Sequence, residues 1–317
     1  MDPRIEVLVV PYDEGSTCVR SAAAGGRRHR KGEAPLLTDE QRAMFDRVHG
    51  VLALDLPFDV GTVAPNLAWV QGIGAGYAQL ETAGLAEAGI RLTNASGVNA
   101  VAIAEFVVGR ILEERKGFRE LRVRQEQHRW EPVYAPELAG TTVGLIGVGA
   151  INAAVARRLQ AFDVHVLASR RTARAGDTMD DVDELYPTAQ LHEMLGRCDT
   201  VVAAVPETPD TIGLMDAAAF AAMRAGSFFV NVGRGTLVDE PALIAALERG
   251  HLRGAALDVA SLEPLPPEHP LWDAPNLSLS YHCSSDPVAL FPNLHRLWLE
   301  NVRRFVTGEP LLQQVSP

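Results

Sequence analysis

The sequence predicts an α/β protein in which parallel sheets are flanked by helices. Short runs rich in Val, Ile and Leu alternate with longer segments of helical apolar spacing along most of the 317 residues. This length suits about two domains of ~150 residues each, and an apolar content of 47% is ample for buried cores. The alternation runs through two successive patterns, so we expect two domains of the same class.

The first pattern predicts four buried strands and a long helix. The strands are the apolar runs IEVLVV, GVLALD, AWVQGI and IRLTNA. Residues Ala100–Arg124 are expected to form one helix, because Ile103, Phe106, Val107 and Ile111 recur at helical spacing.

The second pattern begins at Thr141 and predicts a doubly wound sheet of six strands. Its strands are TTVGLIG, VHVLAS, TVVAAV, SFFVNV, GAALDV and LSLSYH. A final helix over Asp286–Gly308 is expected to pack back on the first domain. The predicted domains are therefore residues 1–112, completed by 283–317, and residues 113–282. Both are expected to be Rossmann-like or flavodoxin-like, with the first discontinuous.

Charge and cysteine content limit the possible partners. The net charge of −11 argues against binding to nucleic acid or to an anionic membrane. The basic cluster Arg27–Lys31 is interpreted as a solvated loop, with attraction of acidic substrates as the alternative. Three cysteines without metal-ligand spacing indicate no metal site and a reducing cytoplasm. No apolar run reaches the ~18 residues of a membrane span.

A glycine-rich loop after the strand VGLI has the spacing of a dinucleotide fingerprint. Gly147 permits the tight turn, and Gly149 lets the backbone approach a pyrophosphate. Ala150 and Ile151 open the following helix, whose positive N-terminus attracts that pyrophosphate. The third glycine position holds Asn152, and a purely structural turn remains the alternative.

The residues after the next strand indicate which nicotinamide cofactor is used. Ser169, Arg170 and Arg171 follow VHVLA, where an NAD site would carry a carboxylate for the ribose 2′-hydroxyl. Guanidinium groups suit a 2′-phosphate instead. The sequence therefore favours NADP(H); NAD(H) stays possible if both arginines are ordinary loop charges.

Three charged residues follow neighbouring predicted strands. Arg234 can grip a carboxylate and polarise the adjacent carbonyl, as a 2-oxo acid requires. His282 can donate the proton that the carbonyl oxygen acquires, and Glu263 can orient the imidazole and raise its pKa. Taken singly, Arg234 could also be a surface ion-pair partner, His282 a hydrogen-bonded histidine at a strand end, and Glu263 a loop charge.

Five segments together resemble the D-isomer-specific 2-hydroxyacid dehydrogenase family, which includes glyoxylate/hydroxypyruvate reductases and phosphoglycerate dehydrogenase. They are GVGAIN, VPETPDTIGLM, NVGRGTLVDEPALIAAL, ALDVASLEPLP and HPLWDAPNLSLSYH. The resemblance implies that Arg234, Glu263 and His282 are catalytic and that Asp258 lies near the nicotinamide carboxamide. It also implies cofactor contacts by Val205, Pro206, Thr211 and Val232, and substrate carboxylate binding by the N–H groups of Gly74, Ala75 and Gly76. A glycine-rich loop of that kind can form an anion nest.

The chain departs from the family pattern at a few positions. Ala78 stands where the family often has aspartate, and Tyr281 replaces the proline usually found before the histidine. Cys283 follows the histidine and is expected to be a small buried residue, with a redox-sensitive thiol as the alternative.

The predicted function is hydride transfer between NADP(H) and a small 2-oxo or 2-hydroxy acid of D configuration, of the glyoxylate or hydroxypyruvate type. The resemblance implies a homodimer through the cofactor domains, with Ala100–Arg124 as a contact element. One alternative is a non-catalytic dinucleotide sensor like the co-repressors of this fold, and another is a formate- or phosphite-type dehydrogenase. The sequence leaves the particular acid open.

Overall fold

The computed structural model describes residues 5–8, 37–174 and 176–315. The chain divides into two compact units, Met1–Val98 with Leu290–Pro317 and Asn99–Ala289. The basic cluster Arg27–Lys31 and the last two of the six residues of the predicted strand IEVLVV lie outside the described residues, and the other four, residues 5–8, carry no strand.

The first unit contains a four-stranded sheet. Strands β1 (Gly50–Ala53), β2 (Trp69–Gly72) and β3 (Arg91–Thr93) pair in parallel. The short β11 (Gln314–Val315) adds an antiparallel edge beside β3. Helices α1 (Asp39–Phe45), α2 (Val60–Val63) and α3 (Ala78–Glu81) belong to the same unit. Three predicted strands are present, and the C-terminal edge strand was missed.

The C-terminal helix α10 (Pro287–Thr307) confirms the prediction of a helix over Asp286–Gly308. Trp298 of this helix stacks on Trp69 of β2, with 4.8 Å between the ring centroids. The buried Asn301 donates from Nδ2 to Oε1 of Gln71 at 2.9 Å. These contacts attach the helix to the first sheet, although its residues are distant from that sheet in sequence.

The second unit contains a seven-stranded sheet in which every pair is parallel, in the order β10-β9-β8-β7-β4-β5-β6. The strands are β4 (Thr142–Ile146), β5 (His165–Arg170), β6 (Glu184–Pro187), β7 (Thr200–Ala203), β8 (Ser227–Asn231), β9 (Leu252–Leu257) and β10 (Leu277–Leu279). Its helices include α6 (Ala150–Leu159), α7 (Leu191–Leu195), α8 (Ala217–Ala222) and α9 (Glu240–Glu248). Short 3₁₀ turns cover Gln160–Phe162, Thr188–Gln190, Gly235–Leu237 and Pro270–Trp272. All six predicted strands are present. The seventh, β6, was missed because this edge strand carries Glu184 and ends in Pro187, which weaken a strand pattern.

The predicted helix Ala100–Arg124 is two helices, α4 (Ala100–Arg115) and α5 (Phe118–Glu126). Gly117 separates them with φ +64°, a left-handed conformation that ends a helix. Val107 and Ile111 of α4 share a buried cluster with Val155 of α6. Helix α4 therefore belongs to the second unit, whose boundaries fall at residues 98/99 and 289/290, where 112/113 and 282/283 were expected.

The order of the second sheet reverses at β4, which places β5 and β6 on one side and β7 to β10 on the other. In such sheets a ligand binds beyond the carboxyl ends of the strands at the reversal point. The segments after β4, β5, β7, β8, β9 and β10 all lie along that edge. No described helix has both the length and the apolar composition needed to span a membrane.

Candidate active site

Arg234 lies in a tight turn immediately after β8. The side chain of the fully buried Asn231 shapes this turn: Oδ1 accepts from the Gly233 N–H at 3.0 Å, and Nδ2 donates to the Arg234 carbonyl at 2.9 Å. The half-buried guanidinium donates to the Gly233 carbonyl at 2.8 Å. The turn thus fixes the backbone of Arg234 at the carboxyl edge of the sheet, and the side chain extends from that point.

The next residue, Gly235, packs directly on the segment that follows β9. A Cβ built at Gly235 would lie 1.9 Å from the backbone carbonyl carbon of Ala260, which no side chain can tolerate. Glycine therefore allows the Arg234 turn and the loop leading to Glu263 to touch.

Asp258 follows β9 and organises the turn that carries His282. Only 4% of Asp258 is exposed. Its Oδ1 accepts from Ser280 Oγ at 2.9 Å and from the Cys283 N–H at 3.0 Å, and its Oδ2 accepts from the Ser284 N–H at 3.2 Å and from Ser284 Oγ. The Asp258 carbonyl also accepts from the His282 N–H at 2.6 Å. One buried carboxylate thus holds the turn after β10, and a contact with nicotinamide stays a prediction.

Tyr281 and His282 both adopt left-handed backbone conformations, with φ +53° and +56°. Such conformations cost non-glycine residues about 1–2 kcal/mol each, and they concentrate at functional sites. The hydrogen bonds to Asp258 offset this cost. His282 was expected at the end of a strand, but it lies in this turn three residues past Leu279.

His282 and Glu263 form the central pair of the site. His282 Nδ1 lies 2.7 Å from Glu263 Oε2, and Glu263 Oε1 accepts from the Ala260 N–H at 2.9 Å. Half of the His282 side chain is exposed, against 21% for Glu263. Since Nδ1 is committed to the carboxylate, Nε2 is the ring nitrogen available to a ligand.

The pair shifts the pKa values of both groups in opposite directions. The hydrogen bond to Glu263 raises the pKa of His282, against the effect of burial, and the Glu263 and Asp258 charges add to the increase. Burial alone would raise the pKa of Glu263, but hydrogen bonds from His282 and Ala260, with the charges of His282 and Arg234, lower it overall. The arrangement favours an imidazolium beside a carboxylate.

The glycine-rich loop after β4, which was predicted to bind a pyrophosphate and is called the phosphate loop below, is closely packed at Gly147 and open at Gly149. Gly147 has φ +77°, and a Cβ there would lie 2.3 Å from Val205 Cγ1. Gly149 is the N-cap of α6, and a Cβ there would meet no atom within 4 Å, so the space beside it is open. Asn152 Nδ2 donates to the carbonyls of Ile146 and Gly147 at 3.0 and 2.7 Å. The Asn152 side chain therefore holds the loop in place. Ala150 and Ile151 are the first two residues of the helix, so their N–H groups have no partner within it.

The other predicted cofactor residues lie at the ends of strands adjacent to this loop. The Gly147 N–H donates to the carbonyl of the buried Ser169 at 3.0 Å, and Arg170 and Arg171 follow it with exposed side chains. On the other side, Thr211 Oγ1 donates to the Pro206 carbonyl at 2.7 Å. The buried Val232 directly follows β8, next to the end of β7.

Gly74, Ala75 and Gly76 lie in the first unit, whereas the other predicted site residues lie in the second. The loop follows β2, and two hydrogen bonds hold its carbonyl groups. The Ala95 N–H donates to the Gly74 carbonyl at 2.8 Å, and Asn94 Nδ2 donates to the Ala75 carbonyl at 2.9 Å. These bonds fix the orientation of the loop backbone.

The sequence interpretation missed Asn231, Ser280 and Ser284, which act on the backbone around Arg234 and His282. An asparagine two residues before a glycine is a recognisable signal for a side-chain turn, so Asn231 could have been found.

The expectation that Cys283 is buried is wrong: the residue is exposed, because its N–H, and not its side chain, points to Asp258. Within the described residues, no group of His, Cys, Asp and Glu side chains is placed to hold a metal ion.

A parallel sheet with a glycine-rich loop at its reversal point, and with a histidine–glutamate pair and an arginine at the same edge, is the arrangement expected of an NAD(P)-dependent oxidoreductase. Residues 108–284 match the D-isomer specific 2-hydroxyacid dehydrogenase, NAD binding domain. A glyoxylate reductase of Thermofilum pendens is 34% identical over 260 residues, covering 79% of this chain and 75% of that protein. The chain belongs to the D-isomer specific 2-hydroxyacid dehydrogenase family.

Two solved structures show the same fold. A D-isomer specific 2-hydroxyacid dehydrogenase of Xanthobacter autotrophicus Py2, in complex with NADPH and MES, is 30% identical, with a TM-score of 0.77 and coverage of 95% of this chain and 94% of that one. An NADPH-dependent glyoxylate/hydroxypyruvate reductase of Sinorhizobium meliloti, in complex with NADP and sulfate, is 30% identical, with a TM-score of 0.76 and 85% coverage of each chain.

Proposed function

We propose that this protein reduces a small 2-oxo acid of the glyoxylate or hydroxypyruvate type to the D-2-hydroxy acid with NADPH, or catalyses the reverse oxidation. The observation that carries the proposal is the 2.7 Å His282–Glu263 pair, whose charges interact with Arg234. The glyoxylate reductase and the glyoxylate/hydroxypyruvate reductase to which the chain is similar support this substrate class.

NADPH, when bound, supplies the hydride that reduces the carbonyl carbon. The phosphate loop would hold its pyrophosphate through Gly147, Gly149, Ala150 and Ile151, and Ser169, Arg170 and Arg171 would bind its 2′-phosphate. Val205, Pro206, Thr211, Val232 and Asp258 are the other proposed cofactor contacts.

The charged trio of the protein then acts on the substrate. Arg234 binds the carboxylate and polarises the neighbouring carbonyl, because its guanidinium is a permanently charged, forked donor. His282 donates the Nε2 proton to the carbonyl oxygen, and Glu263 keeps the ring protonated and oriented beforehand. The N–H groups of Gly74, Ala75 and Gly76 are proposed to bind the same carboxylate.

Two exposed arginines favour NADPH over NADH. In the described part of the chain, Arg170 and Arg171 form no ion pair. Arg170 is the last residue of β5, which pairs with β4, and Arg171 follows it. Replacing both by alanine should weaken NADPH binding and leave NADH binding unchanged, since hydrogen bonds to a charged group contribute ~1.5–3 kcal/mol each. Fluorescence titration with each cofactor measures this. Arg157→Ala, which removes one positive charge at an exposed position of α6, is the control for each of the two arginines replaced singly. Equal affinities of the unmodified protein for both cofactors would contradict the assignment.

Steady-state kinetics test the function itself. Glyoxylate, hydroxypyruvate, pyruvate and bulkier 2-oxo acids are assayed with NADPH and with NADH, and chirality of the product is determined. We expect NADPH-dependent turnover and a D product. Tight NADPH binding without turnover of any acid would favour a dinucleotide sensor, and oxidation of formate or phosphite alone would favour a dehydrogenase of a one-centre anion.

We further propose a homodimer in a reducing cytoplasm. Cys198 and Cys283 are free thiols, as expected in that compartment. Trp130 and Tyr134, in the segment after α5, have almost fully exposed side chains. Side chains of this kind are commonly covered by a partner subunit.

A further inference from the structure

A buried carboxylate lies in the segment that leads from the Arg234 turn into α9. Glu240 is the first residue of this helix, and only 6% of it is exposed. Asp239 fixes the start of the helix, because its Oδ1 accepts from the Ala242 N–H at 3.0 Å, and Pro241 follows in the first turn. A carboxylate that is buried to this degree needs hydrogen-bond donors from the protein, since water no longer solvates it.

Glu240 obtains these donors from the segment that contains Glu263. Its Oε1 accepts from the Ser261 N–H at 2.7 Å, and its Oε2 accepts from Ser261 Oγ at 2.8 Å. His269 adds a third contact, with Nε2 3.5 Å from Oε2 of Glu240. Because His269 Nδ1 accepts from the Leu271 N–H at 3.3 Å, the proton of the neutral ring is on Nε2, the nitrogen that contacts Glu240. Residues 261–269 thus satisfy both carboxylate oxygens.

The backbone that Glu240 binds also binds the carboxylate of Glu263. Ser261 directly follows Ala260, whose N–H donates to Glu263 Oε1 at 2.9 Å. Glu263 Oε2 lies 2.7 Å from His282 Nδ1. Two carboxylates therefore accept from consecutive backbone N–H groups, Glu240 from Ser261 and Glu263 from Ala260. A displacement of Ser261 would move the Ala260 N–H as well and would change the position of Glu263 relative to His282.

The same backbone packs closely on the Arg234 turn. A Cβ at Gly235 would lie 2.4 Å from the Ser261 nitrogen. Such packing limits how near the two segments can come, but each dispersion contact between them is weak. Hydrogen bonds to a charged acceptor are stronger and more directional. Glu240 therefore supplies the attraction that keeps Ser261 against this turn.

We propose that Glu240 is a positioning residue for the catalytic pair, because its hydrogen bonds to Ser261 hold the backbone at which Glu263 is fixed beside His282. This inference rests on the proposed function, in which His282 donates a proton. Among the described residues, Glu240 forms no hydrogen bond or ion pair with Arg234 or His282. Its effect on the reaction therefore passes through Ser261 and Glu263.

The His282 pKa reports whether Glu263 is in place. Three charged groups act on the ring: Glu263 and Asp258 raise the pKa, and Arg234 lowers it. The hydrogen bond from Glu263 has the largest effect, and burial of the ring opposes it. If Glu263 moves away while Asp258 and Arg234 stay, the pKa of His282 must fall.

The test is an NMR titration of His282 in the full chain with isotope-labelled histidine and without substrate, the His282→Gln spectrum providing the assignment. Glu240→Gln keeps the size of the side chain but loses the charge and one acceptor oxygen, and we expect the His282 pKa to fall. Ser261→Ala removes only the hydroxyl donor and changes no charge, so the pKa should fall by less. Glu248→Gln makes the same charge change at an exposed position of α9 and should leave the pKa unchanged.

An unchanged His282 pKa in a folded Glu240→Gln variant would overturn the inference, even if the free energy of unfolding falls, because the carboxylate would then only stabilise the fold. A lower pKa in Glu240→Gln with none in Ser261→Ala would also overturn it, since the Glu240 charge would then act through space. If Glu240→Gln does not fold, Ser261→Ala decides, and an unchanged pKa there overturns the inference.

Kinetics separate this inference from the proposed function. In both variants the alkaline limb of the kcat/KM profile for glyoxylate reduction should move to lower pH, and the affinity for NADPH should stay unchanged. If the unmodified protein reduces no 2-oxo acid while the His282 pKa responds as expected, the proposed reduction fails and the positioning role of Glu240 stands. Reduction by the unmodified protein with a His282 pKa that does not respond overturns only the inference.

Discussion

The charge state of His282 depends chiefly on the neighbouring carboxylate of Glu263. Glu263 raises the histidine pKa above its usual 6.5 through a direct hydrogen bond. A raised histidine pKa means that the favourable interaction is complete below the unfolded-state value and is lost as pH rises through the folded value. Reduction needs the imidazolium, so its rate should decline on the alkaline side of that raised pKa.

Glu263→Gln should move the alkaline limb of the kcat/KM profile for reduction to lower pH. The amide removes the charge and weakens the hydrogen bond that hold the proton on His282, while burial of the ring still lowers its pKa. The profile is measured at saturating NADPH across neutral pH. Glu268→Gln makes the same change of charge at an exposed position in the same loop. An alkaline limb that stays in place in Glu263→Gln would contradict the pairing.

At the scale of elements, the site depends on contacts between consecutive loops of one parallel sheet. Because β8, β9 and β10 are neighbours and run in one direction, the residues that follow them reach the same edge. Gly235 then brings the Arg234 turn against the Ala260 backbone. The relative position of Arg234 and Glu263 is thus set by a backbone contact.

Gly235→Ala should reduce both stability and activity. The added methyl group has no room beside Ala260, and overpacking of this kind costs about 1–3 kcal/mol. Denaturant unfolding gives the free energy of unfolding, and kcat reports the displaced loop. Gly109→Ala is the matched control, because a Cβ at this exposed glycine of α4 meets no atom within 4 Å; alanine there should stabilise the helix by up to ~1 kcal/mol. Wild-type stability and activity in Gly235→Ala would be inconsistent with the contact.

The alternation of apolar runs was sufficient to predict the parallel sheets and the edge at which Arg234, Glu263 and His282 meet. Three features could not be predicted from this alternation, each for a different physical reason. The left-handed turn at His282 depends on hydrogen bonds to Asp258, which is distant in sequence. The break at Gly117 depends on one backbone angle inside a strong helical pattern. The edge strand β6 lacks the apolar pattern of a central strand.

At the scale of the whole molecule, the segment after α5 is held in place with its aromatic side chains pointing outward. Arg124 donates to the carbonyls of Glu131 and Pro132 at 3.1 and 2.8 Å, and Arg115 donates to that of Glu137 at 2.9 Å. Trp130 and Tyr134 lie on this tethered segment. Aromatic side chains bury about 150–250 Å² each, so the four from two symmetric copies could supply a large part of a dimer interface of about 1,600 Å².

Replacing Trp130 and Tyr134 together by serine should shift the protein from dimer to monomer. Analytical ultracentrifugation over a range of concentrations measures the change. Leu299→Ser, at a partly exposed position of α10, should leave the dimer intact. A monomeric unmodified protein, or a variant that remains dimeric, would show that these aromatic residues do not form the interface.

The most direct test of the account is the His282→Gln variant, measured for both NADPH affinity and turnover of the best 2-oxo acid substrate. Glutamine removes the acid and leaves the phosphate loop untouched. The account predicts unchanged NADPH affinity and a kcat lower by about 10²–10⁴-fold, the typical contribution of a general acid. Near-normal turnover would contradict the assignment of His282 as the proton donor and, with it, the proposed mechanism.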